Sequence, residues 1–160
     1  MALALVLVAA CDKKGGGSSS GDAPEGGAKI TCKTVRIITN GQARNLENRK
    51  TRAARGSSDA AYVADLVEQA RILKETGDEL TKTGEVSPDP ELKKIVIDLG
   101  AVHTELATNS SALADAAKAG DKAKEDDIAK KGDAISKRQG EALDKFEGYC
   151  ETHGAPVGGK

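Results

Sequence analysis

Apolar positions recur at helical spacing along most of this chain, and glycines and prolines divide that pattern into four segments. The third segment is the most regular, with Leu92, Ile95, Val96, Leu99, Val102, Leu106, Leu113 and Ala117 on one stripe. The second carries Val63, Leu66, Val67, Ala70, Leu73 and Leu80. The first carries Ile30, Val35, Ile38, Gln42, Leu46, Arg49 and Ala53, and fades toward its end. The fourth is the weakest, with Ile128, Ile135, Ala142, Leu143, Phe146 and Cys150 interrupted by Gly132 and Gly140. Each internal glycine costs roughly 1 kcal/mol against alanine, so this segment depends on tertiary contacts. Period-two alternation is absent, save that Ile30 to Ile38 before Asn40-Gly41 leaves a strand and turn as a minor alternative.

Punctuation sharpens the boundaries. Gly56, Gly84 and Gly120 each stand where a helix would end in a left-handed residue. N-cap signals follow each of them: Ser57 to Asp59, then Asp89-Pro90-Glu91, then Asp121. The expected helices are 29–55, 59–83, 90–119 and 122–150. Short joints favour antiparallel neighbours, so the predicted fold is all-α, an up-down-up-down four-helix bundle over 29–153 with a disordered tail at 154–160.

Composition narrows the function classes. The 160 residues carry a formal net charge of −1, with one Phe, two Tyr and no Trp. No basic excess is present to neutralise phosphates and no aromatic platform to stack bases, so nucleic acid is not an expected partner. Three aromatic residues also argue against a sugar cleft or an aromatic ligand cage.

The N-terminus reads as an address. Residues 1–10 are wholly apolar and Cys11 follows directly. Ten residues span about 15 Å as a helix, against the roughly 20 residues that a membrane crossing needs. The run therefore has the character of a signal-peptide core rather than a membrane span. Leu7-Val8-Ala9-Ala10-Cys11 resembles the lipobox of bacterial lipoproteins. That resemblance implies that Cys11 receives a diacylglycerol group and becomes the first mature residue, usually with an acylated amino terminus such as palmitate. It also implies that the domain stands outside the cytoplasm, in the cell envelope, anchored to the inner or outer membrane. The sequence departs from the lipoprotein pattern in its basic leader, since the apolar run opens at Met1 without a Lys or Arg, as expected of a start assigned too late or a truncated sequence. Residues 11–28 follow as a Gly/Ser-rich stretch with six glycines between Gly15 and Gly27. Such a composition cannot bury enough surface to order itself and reads as a flexible tether. No strand precedes it and no GK[ST] closes it, so it is not a phosphate loop.

With Cys11 lipidated, Cys32 and Cys150 remain as an even pair in an oxidising compartment. In an up-down-up-down bundle the start of the first helix and the end of the last share a pole, so these two are expected to form a disulfide. At the opposite pole Arg44, Arg49, Lys50, Arg52 and Arg55 would face Glu125, Asp126 and Asp127. Arg44 to Arg55 reads as a solvated helix face ahead of a contact for an acidic polymer or lipid head groups.

Catalytic and metal-binding signals are sparse. The sequence holds no HExxH, CxxC, CxxCH, GxSxG or Glu-x-x-His. His103, between Leu99 and Leu106, reads as a hydrogen-bonded histidine at the core border before a metal or haem ligand. His153 lies three residues after Cys150, a Cys-His spacing that oxidation of Cys150 would disable. Small periplasmic four-helix haem proteins resemble this chain in topology alone, because its single Met is Met1. Phe146, Tyr149 and Tyr62 are the candidates for an aromatic cluster. The expectation is a non-enzymatic lipoprotein without cofactor or metal, acting as a binding or scaffold module toward a protein partner at the envelope. The alternatives are a small-ligand sensor or carrier and, behind it, a haem or metal electron carrier.

Overall fold

The computed structural model describes residues 25–53 and 59–153, and the side chains of 26–48 and 59–153. Four helices follow in order: α1 (Glu25–Ala53), α2 (Asp59–Glu85), α3 (Pro90–Ala119) and α4 (Lys122–Thr152). Chain neighbours pack on one another and α4 returns beside α1, as an up-down-up-down bundle requires. Ile30 to Ile38 is helical throughout, so the strand alternative is set aside. Cys11, Gly56, Arg55 and residues 154–160 lie outside the described residues.

The caps explain where the helices meet. The Asp89 carboxylate accepts from the Leu92 N–H at 2.8 Å, with Pro90 in the first turn, where a missing N–H costs nothing. α3 ends at Gly120, whose φ of +69° is the left-handed value expected of it. The Gly120 N–H donates to the Ala117 carbonyl and the Asp121 N–H to that of Ala116, satisfying carbonyls that the helix leaves free. Asp121 then caps α4 by accepting from the Lys124 N–H at 3.1 Å.

Gly84 departs from the expectation. α2 runs through it to Glu85, and Gly120 is the glycine with positive φ among the described residues. The physical reason is proximity: a Cβ on Gly84 would stand 2.8 Å from Ile97 Cγ1 and 3.2 Å from the Lys93 carbonyl oxygen. Two further glycines do the same one and two turns along the seam. A Cβ on Gly77 would lie 2.9 Å from the Gly100 oxygen, and one on Gly100 2.9 Å from the Gly77 oxygen. Thus α2 and α3 touch nearly backbone to backbone, and theirs is the most extensive helix pairing in the bundle.

α1 starts four residues earlier than predicted, which moves 25–28 from the tether into the bundle. Packing outweighs composition there. Ala28 lies against the main core, and Gly27 sits where a Cβ would meet Pro88 Cγ at 2.3 Å. The main core gathers at this pole, with Val35, Leu80, Leu92, Val96, Leu99 and Phe146 fully buried. A smaller core of Leu73, Leu106, Ala107 and Ile135 continues it toward the middle. The helical stripes were misread at two positions: Ile30 is 68% and Val67 55% exposed. In each case the helix is rotated so that a neighbour, Thr31 or Leu66, faces inward instead.

The glycine seam makes a sharp prediction. Gly100→Ala should lower stability by about 1–3 kcal/mol through overpacking, despite its better helix propensity. Gly148→Ala, which meets open space in α4, should raise it by up to about 1 kcal/mol. Urea melts of both variants check the pair of signs.

Candidate functional site

The cysteines predicted to meet do so. Cys32, two turns into α1, and Cys150, in the last turn of α4, are joined at an S–S distance of 2.01 Å with their Cα atoms 5.9 Å apart. Both are buried among Val35, Leu80, Leu92 and Phe146. Closing a loop of this length stabilises a fold by up to about 4–5 kcal/mol in the chain-entropy model. One turn along, Arg36 Nε donates to Glu147 Oε2 at 3.0 Å and joins α1 to α4 a second time. The Glu147 carboxylate holds the Arg36 guanidinium above its ordinary pKa. With Cys150 oxidised, it supplies no thiol to a Cys-His pair. His153 instead caps α4, its ring stacked on Tyr149 with centroids 4.1 Å apart and Nδ1 2.9 Å from the Tyr149 carbonyl oxygen.

Tyr149 ties this pole together. Its ring stacks on His153 and packs in the main core, and its hydroxyl is within electrostatic reach of Asp89, the N-cap of α3. The Leu92 N–H and that hydroxyl hold Asp89 below the usual carboxylate range, while burial and then Asp89 raise Tyr149. Phe146 packs in the same core, but Tyr62 does not join them. It lies in the first turn of α2, at the opposite end of the bundle, and is 44% exposed.

His103 is not at the border of the core but fully inside it. Its Nδ1 lies 2.8 Å from the Leu99 carbonyl oxygen, which can only accept, so Nδ1 carries a proton. Its Nε2 meets two amides, Gln42 Oε1 from α1 at 3.0 Å and Gln139 Nε2 from α4 at 2.9 Å. In the neutral ring Nε2 offers one lone pair, which accepts from the Gln139 NH2. In the imidazolium the single Nε2–H would instead donate to the Gln42 oxygen. One histidine thereby links three helices through a buried polar knot. Burial lowers the His103 pKa, opposed by the Leu99 carbonyl.

At the far pole two of the acidic residues pair within their own helix, and most of the basic side chains expected to face them lie outside those described. Lys122 Nζ donates to the buried Glu125 at 3.0 Å, and Lys131 pairs with Asp127 at 3.2 Å, all within α4. Arg44 is exposed, and the side chains of Arg49, Lys50 and Arg52 lie outside those described. Between α3 and α4 runs an open groove of about 450 Å³, lined by Asn109, Ala112, Ile128, Lys131, Ala134 and Ile135. The Arg138–Glu105 ion pair, at 2.6 Å, bridges its two walls. An apolar floor with a charged rim suits an amphipathic ligand or side chain. Periodicity alone does not find it, because it opens where Gly132 admits the Asn109 side chain, whose Nδ2 would lie 2.7 Å from an added Cβ.

Among the described residues, no group of three His, Cys, Asp or Glu side chains is placed to share a metal ion. Among the same residues, no helix is long and apolar enough to cross a membrane.

The buried histidine sets a pH dependence. A folded pKa below the unfolded value near 6.5 means that stability is complete above that value. It is lost as pH falls from 6.5 through the folded pKa, at up to about 1.4 kcal/mol per pH unit for one proton. Denaturant midpoints from pH 7.5 to 4.5 should fall in the parent protein and stay flatter in His103→Gln, which keeps a polar side chain but cannot titrate.

The chain matches no family model, and no curated protein or solved structure is significantly similar to it.

Proposed function

We propose that this chain is a lipoprotein of bacterial type, an extracytoplasmic helical bundle held to a membrane by acylated Cys11 and working as a non-catalytic binding or scaffold module. The observation that carries the reading is the Cys32–Cys150 disulfide. It accounts for two of the three cysteines and leaves Cys11, which directly follows the apolar run of residues 1–10. A buried structural disulfide suits an oxidising compartment, where a lipobox-type signal would deliver the chain. The Gly/Ser-rich stretch after Cys11 fits a tether that confines the bundle near the membrane and raises its effective concentration toward partners there.

Intact mass of the membrane-extracted protein tests this directly. The expected species begins at Cys11 with added acyl mass, and two cysteines become alkylated only after reduction. Cys11→Ser should lose the acyl mass and leave the membrane fraction. An unacylated protein retaining residues 1–10 would sink the anchoring, and freely alkylated thiols would sink the oxidising compartment.

The α3/α4 groove favours a second reading, a small-ligand sensor or carrier, because about 450 Å³ is within the range of ligand sites. A ligand at a hundred times its Kd would stabilise the native state by about 2.7 kcal/mol. Ala112→Phe, which fills the groove, should abolish that thermal shift.

A further inference from the structure

The pole that carries the disulfide is also the pole at which the chain from Cys11 enters. α1 begins there at Glu25, α4 ends there at Thr152, and the α2–α3 turn of residues 86–89 lies between them. That turn is well held. The Ser87 N–H donates to the Gly84 carbonyl at 3.0 Å, Lys93 Nζ donates to the Glu85 carbonyl at 3.1 Å, and Pro88 sits against Gly27 of α1. On this fixed turn Val86 is nevertheless 80% exposed, the most exposed large apolar side chain among the described residues. Ile30, three residues past the Gly27–Pro88 contact, is 68% exposed. Lys29, Lys33 and Lys82 stand around the same end with long apolar stems, interspersed with the exposed Glu85, Glu91 and Glu151, so its distinguishing feature is the apolar pair and not its net charge.

We propose that this pole is a foot that docks on the phospholipid surface, with Val86 and Ile30 entering the head-group boundary and the bundle standing upright on the membrane. The inference rests on the anchoring reading above. Thirteen residues separate Cys11 from Glu25, which for a Gly/Ser-rich composition corresponds to an r.m.s. reach of about 20 Å. The acylated residue therefore keeps this pole, and not the far one, within reach of the head groups. Short tethers give effective concentrations in the millimolar range, so even weak contacts made by two apolar side chains are reinforced. With α3 along the membrane normal, the opposite pole stands about 45 Å away. Tyr62 and the acidic start of α4 then face outward. On this view the module presents one end to partners at a set height.

Because the protein has no Trp, single tryptophans report position cleanly. Full-length acylated Val86→Trp and Tyr62→Trp proteins are reconstituted into vesicles of three parts phosphatidylethanolamine to one part phosphatidylglycerol, with and without brominated phosphatidylcholine. Co-flotation with the vesicles is scored first, and quenching of the floated protein second. Val86→Trp should be quenched at least twofold more than Tyr62→Trp, with a blue-shifted emission, and adding Ile30→Asp should reduce that quenching. Floated protein with weak quenching at both sites would overturn the docked foot and leave the anchor standing. Strong quenching at both would overturn the upright pose in favour of a bundle lying flat. Protein that does not float would overturn the anchor, and the foot with it.

Discussion

Helices α2 and α3 approach until only hydrogen fits between their backbones, at Gly77, Gly84 and Gly100, and the remaining geometry is arranged around that seam. Such an approach leaves room for dispersion contacts between backbone atoms where two side chains would otherwise hold the axes apart. The Leu80, Leu92, Val96 and Leu99 side chains, displaced from the seam, turn toward α1 and α4 and form the core that those helices cover. Glycine is a poor helix former, and three of them in two helices reduce local helix stability. The packed hairpin offsets that cost.

α1 and α4 approach each other sparsely by comparison. Their association is concentrated at one end, where the disulfide and the Arg36–Glu147 pair lie about one turn apart. Toward the middle, the His103 knot with Gln42 and Gln139 takes over from covalent and ionic contacts. A buried polar group costs stability unless its partners are in place. This knot therefore specifies the rotation of α1 and α4 about their axes rather than adding much net stability. The molecule thus grades from a cross-linked, apolar pole to a more polar middle.

A disulfide at one pole also explains why so modest a core suffices. With no Trp and many alanines among the buried positions, the apolar area per helix is small. A cross-link between the first and last helices removes much of the unfolded chain's freedom, so the interior need not supply all the stability itself.

The number and order of the helices, and the boundaries of α3 with the start of α4, were legible in the sequence because they depend on local chemistry. Asp89, Pro90, Gly120 and Asp121 cap helices through contacts within a few residues, and those contacts form wherever the helices go. The meeting of Cys32 and Cys150 was legible too, since an up-down-up-down topology puts the start of the first helix and the end of the last at one pole. Other features depend on partners distant in sequence. Gly84 reads as a helix end until Ile97 is known to lie against it, and His103 reads as a border residue until Gln42 and Gln139 close over it. The α3/α4 groove and the outward set of Ile30 and Val67 were hidden for the same reason. Periodicity tells which side of a helix is apolar to within a residue or so, but only the packing of neighbours fixes its rotation. Local sequence thus determined the elements and their caps, whereas the tertiary structure alone decided how closely those elements approach and which side chains are left facing out.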